Sequence, residues 1–142
     1  MSIKFKISKK VISESYKPYI IAEACINHEG NIKIAKKMID KAVEAGVSAV
    51  KFQFHVLEDE MLKYTPKSNN FSESLYDTLN RTNLSIKEHK YLKKYCEKKN
   101  VDYLCTPFSF KSADILEKEI KLKIFKVGTG ELANIPLQIR IA

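Results

Sequence analysis

Two hydrophobic periods alternate along this chain. Residues 3–12, Ile-Lys-Phe-Lys-Ile-Ser-Lys-Lys-Val-Ile, alternate with a period of two and predict a strand or hairpin arm. Behind Pro18, Tyr19-Ile-Ile-Ala22 is a short continuous apolar run, as in a strand buried on both faces. It runs into Glu23, Asn27, His28 and Gly30. Asn31 stands at a helix N-cap position, and Ile34, Ala35, Met38, Ile39, Ala42 and Val43 then recur at helical spacing. Gly46 is placed to end that helix in the left-handed conformation, and residues 47–54 predict a second strand. Residues 55–84 are polar, with Pro66 and the run Ser68-Asn-Asn-Phe-Ser. A loop that long in a compact domain predicts short helical turns and the wall of a binding site. Ser85-Ile-Lys-Glu88 matches a capping box, opening a helix that runs to Lys99 and ends at Asn100. Val101-Asp-Tyr-Leu-Cys105 predicts a third strand, followed by Thr106-Pro-Phe108, and 111–119 a third helix. Leu122-Lys-Ile-Phe-Lys126 alternates as a fourth strand, and 135–142 begins a fourth helix.

Strands and helices in strict alternation predict a parallel sheet with helices outside. In such a sheet the chemistry belongs at the C-terminal strand ends. Glu23, Asn27 and His28, Lys51 and Gln53, Thr106, and Lys126, Thr129 and Glu131 all fall there. Lys51 and Gln53 share a face by the period of two. In Lys126-Val-Gly-Thr-Gly-Glu131 the glycines let backbone N–H groups approach an anion. The lysine adds charge, the threonine a hydroxyl and Glu131 an acid or base. Polar groups at an apolar strand end are costly unless paired or used. Two lysines with hydroxyls and amides at one mouth predict binding of phosphate or carboxylate. His55 and His89 read as surface residues, and Cys25 and Cys105 as small core residues.

Composition narrows the function classes. The 142 residues suffice for one domain with a real core. The formal net charge is +8, but the lysines are interleaved with acids, as in a solvated helix face. Arginine, the preferred base reader, occurs only at 81 and 140, so a nucleic-acid partner is not expected. There is no apolar run of about 18 residues, so no transmembrane helix is expected. The start lacks the apolar core of a secretory signal, and the expected location is cytoplasmic. Three cysteines without a Cys-x-x-Cys predict reduced thiols rather than a disulfide framework or zinc site.

Four motifs carry a family resemblance. Ile20-Ile-Ala-Glu-Ala-Cys-Ile-Asn-His-Glu-Gly30, Ala49-Val-Lys-Phe-Gln53, Thr106-Pro-Phe108, and Lys126-Val-Gly-Thr-Gly-Glu131 with Asn134-Ile-Pro-Leu137 resemble, in that order, the sialic acid synthase family. That family includes N-acetylneuraminate synthase and its legionaminic and pseudaminic acid relatives. The resemblance runs from residue 18 to the last residue. It implies a (β/α)8 TIM barrel followed by an antifreeze-like domain. It implies condensation of phosphoenolpyruvate with an open-chain N-acyl hexosamine, releasing phosphate. A divalent metal, manganese or magnesium, would activate the sugar aldehyde. By resemblance, Lys51, Lys126, Thr106 and Thr129 bind phosphoenolpyruvate and Gln53 contacts the sugar. Asn27 and His28 join the substrate-binding set, and Glu23 and Glu131 are the catalytic carboxylates. Cys25 stands where the family usually has glycine, and Cys105 and Thr129 where serine is usual.

A full barrel takes about 250 residues. The expected division is therefore a strand or hairpin over 1–17, then the first four βα units over 18–142. The second half of the barrel, the metal-binding histidines and the antifreeze-like domain would lie outside this stretch. An N-terminal fragment, inactive alone, is the resulting expectation, with a homodimer for the full-length family member. Such a half barrel would expose strand edges and an apolar inner face. The rival readings are a Schiff-base aldolase using Lys51 or Lys126 as nucleophile, and a non-catalytic truncated remnant.

Overall fold

The computed structural model describes residues 4–142 apart from 65, 68, 70 and 71. The expected Ser68–Ser72 run thus lies partly outside the described residues, as does the first residue of the N-terminal arm. That arm is a hairpin: β1 (Phe5–Ile7) pairs antiparallel with β2 (Lys10–Ile12). Then follow β3 (Ile21–Cys25), α1 (Ile32–Glu44), β4 (Ala49–Phe54), α2 (Leu57–Glu60) and α3 (Leu75–Thr82). The chain continues through α4 (Ile86–Lys98), β5 (Asp102–Pro107), α5 (Phe110–Lys118), a 3-10 turn at Thr129–Glu131 and α6 (Ile135–Ile141).

The main sheet is parallel, in the order β3-β4-β5. Its strands sit in sequence order because each crossover carries a helix back to the start of the next strand. Alternation then sorts the side chains. Val50, Phe52 and Phe54 of β4 and Tyr103 and Cys105 of β5 form one core. Ala35 and Ile39 of α1, Leu92 and Cys96 of α4 and Leu116 of α5 pack into that same core. Phe52 stacks on Tyr103 with centroids 5.5 Å apart. The helices therefore cover one face. The intervening positions, Glu23, Lys51, Gln53 and Thr106, belong to the other face and are adjacent by register: Glu23 beside Lys51, Gln53 beside Thr106.

Helix ends form as local chemistry dictates. The Asn31 side chain accepts from Lys33 N–H at 2.9 Å, and Gly46 takes a φ of +78° after α1. Ser85 and Glu88 satisfy each other's backbone N–H groups at the start of α4. Gly30, at φ +72°, has no room for a side chain: a Cβ would lie 2.6 Å from the Arg81 carbonyl oxygen. Among the described residues no helix is long and apolar enough to cross a membrane.

Three expectations need correction. The first strand of the parallel sheet starts at Ile21, not Tyr19, and extends to Cys25, so Glu23 lies within it. Nor is it buried on both faces, because it is the edge of the sheet and Ile20 is 51 % exposed. The fourth strand is reduced to a single parallel bridge between Cys105 and Phe125. The start of that run is instead tied to α5, since Leu122 N–H donates to the Leu116 carbonyl at 2.9 Å. Finally, His89 is not a surface residue. It is buried on α4, with Nδ1 2.5 Å from the Tyr103 hydroxyl, and burial pushes its pKa down to about 3. Its spacing to Leu92 and Cys96 is that of the helix face turned to the core.

Candidate active site

Lys51 is the centre of the polar face. It is only 2 % exposed, because a mid-strand position in β4 has a strand on either side. A buried ammonium needs a partner. The next strand supplies one: Glu23 Oε1 lies 3.3 Å from Lys51 Nζ. Lys126, just past the Phe125 bridge, brings its Nζ to 3.5 Å from the same oxygen. One carboxylate oxygen thus sits between two lysines. Lys51 first, and then Lys126, hold the Glu23 carboxyl below the usual carboxylate range. The Glu23 side chain is itself 53 % exposed, so the trio opens outward and retains a surplus positive charge.

Thr106 is one strand further on. It is buried, and its Oγ1 has no hydrogen-bond partner among the described residues. A buried hydroxyl without a partner is unusual and marks a place where a ligand atom can bond. Gly128 allows the following turn to lie against this position. A Cβ there would sit 3.4 Å from Thr106 Cγ2 and 3.2 Å from the Phe108 ring. The turn itself is a 3-10 coil at Thr129–Glu131, in which Glu131 N–H is taken up by the Gly128 carbonyl at 3.0 Å.

Next to these groups is a cleft of about 360 Å³. Ile26, Met61, Leu75, Leu79 and Phe108 form its apolar wall, and Gln53, His55, Glu60 and Glu131 its polar groups. Leu75 and Leu79 come from α3, so residues 55–84 do wall the cleft, with helical turns inside them. Glu131 is half-buried and accepts from Asn134 Nδ2 at 2.6 Å. Cys25 lines the cleft too, half-buried at φ +50°, rather than packing in the core as expected. The register shift between Glu23 and Cys25 turns it there. A roomier hollow of about 490 Å³, lined by Tyr16, Ile20, Gly46 and Ser48, lies at the starts of the strands. It brings none of the polar set together.

The structure thus gathers Glu23, Lys51, Gln53, Thr106, Lys126 and Glu131 on the polar face of the sheet and the cleft beside it. It does not bring His28 there. The His28 ring packs against Phe52 at 5.8 Å, on the helix side, and its Nδ1 accepts from Gly30 N–H at 3.2 Å. Burial lowers its pKa, as for His89. Asn27 and Thr129 are exposed. Sequence reasoning placed His55 at the surface, which the structure corrects, and missed Glu60. His55 is buried, stacked on Phe108 at 4.4 Å, with Nδ1 2.7 Å from Glu60 Oε2. Only the acid-rich turn Leu57-Glu-Asp-Glu60 after the strand hinted at a partner for it. Among the described residues, no three of His, Cys, Asp or Glu converge as metal ligands.

Comparison with known proteins gives a consistent picture. The NeuB family model matches residues 38–142. N,N'-diacetyllegionaminic acid synthase of Campylobacter jejuni is 37 % identical over 132 residues, which are 89 % of this chain and 39 % of that protein. The crystal structure of N-acetylneuraminic acid (sialic acid) synthetase from Leptospira borgpetersenii, in complex with citrate, superposes with a TM-score of 0.79 at 31 % identity. It covers 99 % of this chain and 46 % of that one. The spore coat polysaccharide biosynthesis protein SpsE of Bacillus subtilis gives 0.77 at 31 % identity, over 98 % of this chain and 37 % of its own. The chain spans about two fifths of the length of the curated relatives it matches.

Proposed function

The chain belongs to the NeuB family, and from that premise we propose that it forms the phosphoenolpyruvate side of a sialic acid synthase-type active site. The observation that carries this is the shared carboxylate: two lysines on one Glu23 oxygen, with an unpartnered Thr106 hydroxyl beside them. Phosphoenolpyruvate offers a phosphate and a carboxylate, and lysine ammoniums with a hydroxyl donor match both. Binding would pull the ammoniums toward the ligand and leave Glu23 facing the reacting carbons.

The reaction proposed joins C3 of phosphoenolpyruvate to the aldehyde carbon of an open-chain N-acyl hexosamine. Water adds at C2 and phosphate leaves, giving a nonulosonic acid. Lys51 and Lys126 hold the anion, and Gln53 in the adjoining cleft contacts the sugar. Glu23 and Glu131 flank the path, one to stabilise positive charge at C2 and the other to take the proton of the attacking water. A divalent metal, when bound, would polarise the sugar aldehyde. Among the described residues no three potential ligands converge to hold it.

A (β/α)8 barrel is the architecture proposed for the whole protein. Sequential parallel strands with every core helix on one face leave the polar face inward, as a barrel requires. Ile20 on the β3 edge and Ile139 on α6, 72 % exposed, are apolar surfaces that further βα units or a second copy would cover. The homodimer belongs to the same proposal. A Schiff-base aldolase is disfavoured, because it needs an uncharged amine and both lysines lie within 3.5 Å of a carboxylate.

Calorimetric titration of the chain with phosphoenolpyruvate tests the reading. Saturable binding that is lost in Lys126→Ala is the expected result. Absence of binding, or borohydride trapping of a carbonyl compound on Lys51 or Lys126, would sink it.

A further inference from the structure

The cleft beside Lys51 has two unlike sides. Gln53, two residues on from Lys51 in β4, and Glu131, in the 3-10 turn that follows Lys126, form its polar side. The other side is apolar and comes largely from residues 55–84. Met61 follows α2, and Leu75 and Leu79, one turn apart on α3, share a helix face. Ile26 and Phe108 complete that wall. His55 and Glu60 lie behind it rather than opening it to polar groups. His55 Nδ1 is 2.7 Å from Glu60 Oε2, the other Glu60 oxygen accepts the Val56 N–H at 2.6 Å, and each side chain is 4 % exposed.

The wall is anchored as well as apolar. Leu79 is buried at its base, while Leu75 is 57 % exposed at its rim. In the last turn of α3 the Arg81 guanidinium forks between Glu73 at 2.7 Å and Glu29 at 2.6 Å. Gly30 lies directly against the Arg81 carbonyl. The helix is therefore tied to the same β3–α1 connection that carries Ile26.

We infer that this wall determines which sugar is used: it selects an N-acylated amino sugar whose far end is deoxygenated, with a methyl group at C6 in place of the hydroxymethyl. The inference rests on the synthase reading above, which puts the sugar aldehyde at phosphoenolpyruvate, by Lys51 and Lys126. An open-chain hexosamine held there by C1 runs its other end into the cleft. A terminal hydroxyl against Met61, Leu75 and Leu79 would lose its water and find no partner in that wall among the described residues. A methyl group gives up no hydrogen bond and buries apolar surface.

Calorimetric titration of the whole chain, with phosphoenolpyruvate present, compares N-acetylmannosamine with its 6-deoxy analogue, which lacks only the terminal oxygen. The 6-deoxy sugar should bind about tenfold more tightly, the cost of one unpaired hydroxyl. Leu75→Gln places an amide on the wall at an exposed helix position. It should remove the preference and leave the thermal midpoint and the phosphoenolpyruvate affinity unchanged. Equal or tighter binding of N-acetylmannosamine, no binding of either sugar, or a preference that survives in Leu75→Gln would overturn the inference. Phosphoenolpyruvate titrated alone keeps the two readings apart. A chain that binds it but shows no sugar preference defeats the role of the wall only. A chain that does not bind it defeats the synthase reading and this inference with it.

Discussion

The two faces of β4 are nearly equally buried and built on opposite principles. On one face Phe52 is fully buried, between the Tyr103 and His28 rings, in a core that α1, α4 and α5 also enter. On the other Lys51, 2 % exposed, is held by Glu23. Burial alone does not distinguish them. The first face is stable because it is filled, the second because each charge has a partner. A filled face resists change everywhere, whereas a paired one can exchange its partner for a ligand.

Breaking the filled face should have the largest effect. Phe52→Ala opens a cavity between Tyr103 and His28 and should cost about 3–5 kcal/mol in urea unfolding. Lys51→Met should behave oppositely. It keeps most of the volume and leaves a Glu23 that water can reach, so stability should change by less than about 1 kcal/mol. Phosphoenolpyruvate binding should nonetheless fall by roughly tenfold to a hundredfold, the worth of one charged hydrogen bond. Equal losses of stability in the two variants would erase the distinction between the faces.

Acid should attack the filled face first. Folded His89 resists protonation down to about pH 3, while an unfolded histidine takes its proton near 6.5. Stability is therefore complete above pH 6.5 and falls with pH between 6.5 and 3, by about 2 kcal/mol at pH 5. His28, shifted in the same direction, adds to the loss. Urea unfolding of His89→Gln across that range should show a shallower slope. The smallest effect expected is at the edge of the polar face. Cys25 adopts φ +50°, where glycine is unstrained, so Cys25→Gly should stabilise by about 0.5–1 kcal/mol, read from the thermal midpoint.

Much of this architecture was readable from short-range rules. The caps at Asn31, Gly46 and Ser85 formed where their chemistry placed them, because each depends on residues within one helical turn. The shared face of Lys51 and Gln53 followed from a period of two, whereas the pairing of Glu23 with Lys51 came from the register between strands. His55 and His89 were not readable. His89 stands between Glu88 and Lys90 and His55 at the end of a strand, and each packs on a ring far off in sequence, Tyr103 and Phe108, 14 and 53 residues away along the chain. The fourth strand failed for a related reason: alternation describes a segment that can pair, while pairing needs a neighbour within reach.

Local periodicity and capping chemistry, which act over a few residues, sufficed to place α1, α4, α5 and α6 and three parallel strands with polar residues on a common face. Four motifs in the sequence carried the family resemblance without the fold. Tertiary packing alone decided that Glu23 bridges two lysines, that the Thr106 hydroxyl is buried without a partner among the described residues, that His28 faces the core and that His55 turns to Gln53. Those outcomes depend on distances between segments far apart in the chain, and no pattern of neighbouring residues encodes a distance.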